Sequence, residues 1–239
     1  MLELISQNPY IFYTIILLSS IASVAGVGGF WLIPMAALYF GPKASVGIIT
    51  LYFLFNNISK LIFFKGDINW KIAKKIIVWS LPGVLAGSLL LGYLPANIFE
   101  KILGIGMLIF LANDLHSFIT KKQNKKSLPV FGLLYGFFSG LFGSGNIIKG
   151  PLFISLGLTK ESYVATYALT SLFMNIPKLF IYSFNGVISP SIFTISLPFL
   201  VISIFSAYIG KLLLKKIDGT VFYYVIFAVS IISAIALLF

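Results

Sequence analysis

The residues in this chain able to do chemistry fall into three small sets, two of which are pairs. The first is a pair of glycine clusters. One is Ser23-Val24-Ala25-Gly26-Val27-Gly28-Gly29-Phe30, which runs on to Pro34; the other is Ser139-Gly140-Leu141-Phe142-Gly143-Ser144-Gly145-Asn146, which runs on to Lys149 and Pro151. The second is a pair of amides, Asn57 and Asn175, and the third is a group of lysines inside apolar sequence, Lys60, Lys149 and Lys178. Glycine frees the backbone and proline removes a donor, so each cluster interrupts any helix that contains it. Freed N–H and C=O groups in hydrocarbon survive only where protein or a wet cavity satisfies them. A broken helix there can aim N–H groups, at the positive end of a half-helix dipole, toward an anion. Close packing of small residues between helices is the competing reading of either cluster taken alone.

The lysines and asparagines carry the same ambiguity. A lysine within an apolar run is costly unless it faces a cavity or reaches the interface. Lys60 lies four residues from the end of its run and reads as a snorkelling side chain. Lys178 is deeper, and Lys149 directly follows the second glycine cluster, which makes Lys149 the leading cation for an anionic substrate. Asn57 and Asn175 can bond either a neighbouring helix or a substrate oxygen. The expected substrate-binding set is Gly26, Gly28, Gly29, Asn57, Gly143, Gly145, Asn146, Lys149, Asn175 and Lys178. The aromatic residues are assigned to packing and interfacial anchoring.

The setting of these residues is a membrane. The 239 residues are 59% hydrophobic and only 10% charged, outside the range of soluble globular chains. The first apolar run lacks a basic leader and a small-residue cleavage site, and is read as mature structure. All 17 basic residues are lysines, giving a net charge of +11, and they gather in short loops between apolar runs. That pattern is a positive-inside bias and not a nucleic-acid surface. No cysteine is present, which excludes disulfides, thiolate metal sites and cysteine catalysis. The six acids, Glu3, Asp67, Glu100, Asp114, Glu161 and Asp218, all lie at or near the edges of apolar runs. The lone histidine, His116, reads as interfacial. With no carboxylate or histidine at depth, a cation pump, a carboxylate proton relay and a membrane-embedded enzyme all lack their chemistry, and no cofactor is expected.

The elements that position these residues repeat. Pro34 and Pro151 are 117 positions apart; Asn57-Ile58-Ser59-Lys60 and Asn175-Ile176-Pro177-Lys178 are 118 apart; Ser80-Leu81-Pro82 and Ser196-Leu197-Pro198 are 116 apart. This is an internal duplication: a first transmembrane repeat over 1–119, a polar linker over 120–127 and a second repeat over 128–239. The fold class is an all-α polytopic membrane protein. Spans are predicted at Ala44 to Phe64, Ile72 to Leu94 and Ile98 to Phe118, with a bend at Pro82-Gly83. Each glycine cluster is either a long broken helix or a re-entrant hairpin. A hairpin at 128–157 puts the Lys211–Lys216 loop on the same side as the Lys65–Lys75 loop and makes the halves inverted, which is preferred. A single crossing would leave the repeats parallel.

At these residues the sequence resembles the sulfite exporter TauE/SafE family of membrane transporters. The likeness rests on the duplicated layout, the glycine element followed by proline at the head of each half, and a Gly-x-Ile-x-Trp turn, here Gly66-Asp67-Ile68-Asn69-Trp70. Two departures stand out: Phe30 occupies the place of the element's third glycine, and the second half reads Gly143-Ser144-Gly145-Asn146 with Lys149 just beyond. The resemblance implies movement of sulfite or organosulfur anions across the cytoplasmic membrane. The expected function is a secondary transporter of small anions working by alternating access between the repeats, embedded in the lipid bilayer of the cell membrane as a multi-pass protein. An anion channel or a non-transporting membrane protein is the alternative. Nothing in the sequence sets the oligomeric state.

Overall fold

A computed structural model describes residues 9–24, 32–33, 36, 40–95, 98, 128–158, 160–216 and 218. The described residues are helical, with no strand among them. In chain order they form α1 (Pro9–Val24), α2 (Pro42–Phe64), a 3₁₀ turn (Lys65–Asp67), α3 (Trp70–Tyr93), α4 (Leu128–Phe142), α5 (Asn146–Ser155), α6 (Lys160–Phe184), α7 (Pro190–Ser196) and α8 (Pro198–Leu214). Among the described residues four stretches are long and apolar enough to cross a membrane: Lys43–Asp67, Trp70–Tyr93, Lys160–Phe184 and Pro190–Leu214. The predicted spans from Ala44 and from Ile72 thus match α2 and α3 to within about two residues at each end. The predicted span from Ile98 to Phe118, the linker and residues 219–239 lie outside the described residues, apart from residue 98.

Local sequence explains the helix boundaries. Pro42 sits in the first turn of α2, where no N–H is needed, and Gly41 supplies the left-handed φ of 79° that turns the chain into it. The Asn69 side chain accepts from Ile72 N at 3.1 Å and caps α3. Ser189 does the same for α7, accepting from Ile192 N at 3.3 Å. The repeated Ser-Leu-Pro has two outcomes: α3 continues through Pro82, whereas the chain splits at Leu197 into α7 and α8. Pro198 lacks the N–H that would carry the ladder across, and Leu197 N instead closes a tighter turn on Thr194 O at 3.2 Å.

Hydrogen bonds at the two ends of the bundle fix how the helices run. Lys43 Nζ donates to Gly92 O at 3.4 Å, so the start of α2 lies by the end of α3. At the other end Lys211 Nζ donates to Phe63 O at 2.6 Å, and Asn69 N donates to Thr166 Oγ1 at 2.9 Å. Lys65 of the 3₁₀ turn, Lys71, Lys74 and Lys75 in the first turns of α3, and Lys211, Lys215 and Lys216 at the end of α8 therefore share one end of the molecule.

The most extensive helix pair is α3 with α4, and glycine makes it. Gly83 and Gly87 face Gly132, Gly136 and Gly140, all at spacings of four. A Cβ at Gly136 would fall on the Ser80 carbonyl, and one at Gly87 on the Phe137 carbonyl. Backbone thus lies against backbone, the arrangement that lets membrane helices associate by contact when lipid supplies no hydrophobic drive. The facing residues ascend together, Gly132 against Trp79 and Gly140 against Ser88, so α3 and α4 run parallel. The chain then reverses at Gly143-Ser144-Gly145. α5 runs back along α6, with Lys149 beside Tyr167 and Ser171 and the Phe153 ring 6.0 Å from that of Tyr163. Residues 128–155 consequently return toward the end from which they started. The same helices exchange partners in a crossed pattern: α3 packs on α4 and α6, α8 packs on α1 and α2, and α2 packs on α6.

This packing predicts that Gly136→Val separates α3 from α4 and lowers stability by about 1–3 kcal/mol, read as a lower thermal midpoint of the detergent-solubilised protein. Gly66→Ala, where an added Cβ meets nothing within 4 Å, is the control and stays within about 0.5 kcal/mol. Equal melting of the two variants would contradict the close-packed interface.

Candidate anion site at the helix break

The reversal at 143–145 creates the site. An α-helix leaves its last four carbonyls without partners, and α4 ends deep in the protein. Gly143 terminates it with a left-handed φ of 75°, and Ser139, Gly140, Leu141 and Phe142 are all buried. Two side chains of α6 reach the exposed carbonyls. Lys178 Nζ donates to Gly143 O at 2.8 Å and to Ser139 Oγ at 3.3 Å, and the Tyr182 hydroxyl donates to Gly140 O. A cation at a helix C-terminus also meets the negative end of the helix dipole. Gly145 is the second requirement: a Cβ there would stand 2.6 Å from the Tyr135 ring. Its carbonyl starts the next helix, accepting from Ile148 N and Lys149 N at 3.1 Å each, while Asn146 N lies 3.4 Å from Ser144 Oγ.

Beside this break lies a cleft with about 540 Å³ of space free of protein atoms, part of it open to the outside. Gly143, Ser144, Gly145 and Asn146 form one wall. Asn57 and Lys60 of α2 and Asn175 and Lys178 of α6 also line it, all four of them buried. Positions three apart share a helix face, so each Asn-x-x-Lys presents its amide and its ammonium together. Asn175 Nδ2 has no hydrogen-bond partner among the described residues, which leaves a donor unsatisfied at the cavity wall. None of the described lining residues is a carboxylate. Lysines, amides, hydroxyls and the N-terminal end of a helix are the groups with which proteins bind anions.

The structure therefore brings Asn57, Gly143, Gly145, Asn146, Asn175 and Lys178 onto one cavity. Gly26, Gly28 and Gly29 lie outside the described residues. Lys149 is fully buried behind the wall: it does not line the cavity, and its Nζ donates to Tyr167 O at 2.7 Å and to Ser171 Oγ at 2.5 Å. Lys60, read from sequence as a snorkelling side chain, is instead 4% exposed and lines the cavity. Its place in an Asn-x-x-Lys that matches the one ending at Lys178, 118 positions on, was the available signal. Tyr135, Tyr163 and Tyr167 also line the cleft, and sequence alone does not separate them from the many aromatic residues that face other surroundings. Among the described residues no cluster of His, Asp or Glu stands close enough to hold a metal ion.

Comparison with known proteins adds one match. No curated protein and no solved structure is similar enough to match the chain. The family described as "Sulfite exporter TauE/SafE" matches residues 11–237. With nearly its whole length covered, from α1 through the break and the cavity to the far end of the second half, the chain belongs to the sulfite exporter TauE/SafE family of membrane transporters.

Proposed function

We propose that the protein is a secondary transporter that carries small anions, sulfite or organosulfur anions, across the cell membrane through the cleft at the helix break. One observation carries this reading: the two copies of Asn-x-x-Lys, separated by 118 positions in sequence, line a single cavity with no carboxylate among its described lining residues. The anion would take hydrogen bonds from Asn57 and Asn175, charge from Lys60 and Lys178, and backbone dipoles from the break at Gly143, Gly145 and Asn146. Gly26, Gly28 and Gly29 are proposed to shape the equivalent break in the first half.

The crossed packing supports two repeats related by a pseudo-two-fold axis, because α3 on α4 answers α8 on α1 and α3 on α6 answers α8 on α2. The return of residues 128–155 to their starting end, and the meeting of the two lysine clusters, support inverted halves. Rocking of one half against the other would expose the cleft to each side in turn. The sequence carries no nucleotide-binding loop, and an inside-negative membrane potential supplies about 2.3 kcal/mol per charge per 100 mV, which favours anion exit.

Reconstituted into liposomes, the protein is expected to move labelled sulfite saturably and to show counterflow against unlabelled sulfite inside. Lys60→Gln and Asn175→Ala should each raise the half-saturating concentration by about tenfold or more, the worth of one hydrogen bond involving a charged group. Sulfite, thiosulfate and short sulfonates all remaining at the level of empty vesicles would refute transport; normal saturation in both variants would refute the site alone; flux without counterflow would indicate a channel. For topology, single cysteines replacing Lys43 and Lys215 should be labelled from opposite sides of the membrane, with Lys215 cytoplasmic. Labelling from the same side would contradict the inverted arrangement.

A further inference from the structure

Lys149 has no task in the transport reading, yet it is among the most completely enclosed charges in the molecule. Its side chain is 0% exposed. Besides the bonds to Tyr167 O and Ser171 Oγ, its Nζ stands 3.9 Å from the ring centroid of Tyr167, 5.0 Å from that of Tyr135 and 5.3 Å from that of Phe153. These partners come from three helices: Tyr135 from α4, Phe153 from α5, and Tyr167 with Ser171 from α6. Tyr135, Tyr167 and Ser171 line the cavity, whereas Lys149 and Phe153 stand behind them. One ammonium therefore fastens both arms of the hairpin to the long helix that carries Asn175 and Lys178.

An ammonium away from water is expensive unless hydrogen bonds and ring faces replace its hydration. An apolar side chain would fill the same space without that cost. What lysine adds is direction: its two hydrogen bonds are made at one height of α5 along α6 and are lost if α5 slides by a turn, about 5.4 Å. Asn146 lies three residues before Lys149, so the same displacement would carry Asn146 and the break away from Lys178. We propose that Lys149 is a positioning residue that sets the height of α5 and the tyrosine wall relative to Asn175 and Lys178 without touching the anion. The positional part stands on the geometry alone; its effect on transport rests on the function proposed above.

The chain contains no cysteine, so Ser144→Cys provides a single thiol on the cavity wall. Its rate of modification by a methanethiosulfonate reagent, without substrate, reports the position of the break and needs no transport. Lys149→Met is expected to change that rate by about tenfold, the scale of a lost charged hydrogen bond, and Lys149→Arg, which keeps charge and donors, to stay within about threefold of the parent. In the cysteine-free protein, Lys149→Met should raise the half-saturating concentrations of sulfite and of a monovalent sulfonate by the same factor. Parent-like labelling of the Met variant, an Arg variant no better than Met, or a shift that differs with anion charge would each overturn the proposal. Phe153→Leu removes one ring behind the wall and keeps the test decisive if Lys149→Met does not fold: labelling should shift about twofold to threefold, as for a lost cation–π contact, and no shift refutes the assignment. Altered labelling in a protein that moves no sulfite would leave the positioning role standing and reject only the transport reading.

Discussion

The structure depends on what happens to the backbone at the end of α4. A helix that stops inside an apolar bundle strands carbonyl groups that water cannot reach, and each one left unpaired would cost several kcal/mol. Here a helix from the same half answers them: Lys178 reaches Gly143 and Tyr182 reaches Gly140. The solution has a consequence for function. It places a lysine, a run of backbone and the start of a second half-helix at one point, and those are the parts an anion receptor requires.

Holding that point in place is the work of the helices around it. The glycine seam between α3 and α4 ties one arm of the hairpin to the other half of the chain, and α6 holds both arms through Lys178, Tyr182 and Lys149. α2 brings Asn57 and Lys60 to the same cleft from the opposite half. The cavity is thus built from both halves. Its wall nearest the break comes from the second half, together with Tyr135, Tyr163 and Tyr167, while Phe53 joins the lining from α2.

Much of this was legible from the chain. The spans α2 and α3, the break at Gly143-Ser144-Gly145 and the pairing of Asn57 with Asn175 follow from glycine, proline and a near-constant offset. The heights of Lys60 and Lys149 did not follow. Both lipid and protein interior are apolar, so a membrane helix gives little periodic contrast between its lipid face and its packed face. Distance from the end of a run placed Lys60 at the interface, but the face it occupies turns it into the cavity. Lys149 is adjacent to the break in sequence, yet it lies on the side of α5 that meets Tyr167 and Ser171. The seam of Gly83, Gly87, Gly132, Gly136 and Gly140 is present in the sequence as spacings of four, but small residues are common in membrane helices and spacing alone does not name the partner helix. Ser-Leu-Pro shows the limit of repeat reasoning, since one copy continues a helix and the other divides it.

The central claim is that one anion is held between the two Asn-x-x-Lys segments. Selenite, a heavier analogue of sulfite with an anomalous scattering signal, tests it most directly in crystals of the protein. The account predicts a single anomalous peak in the cleft, within hydrogen-bonding reach of Lys60 or Lys178 and beside Gly143 to Asn146. A peak elsewhere in the protein, or an empty cleft at saturating selenite, would contradict it.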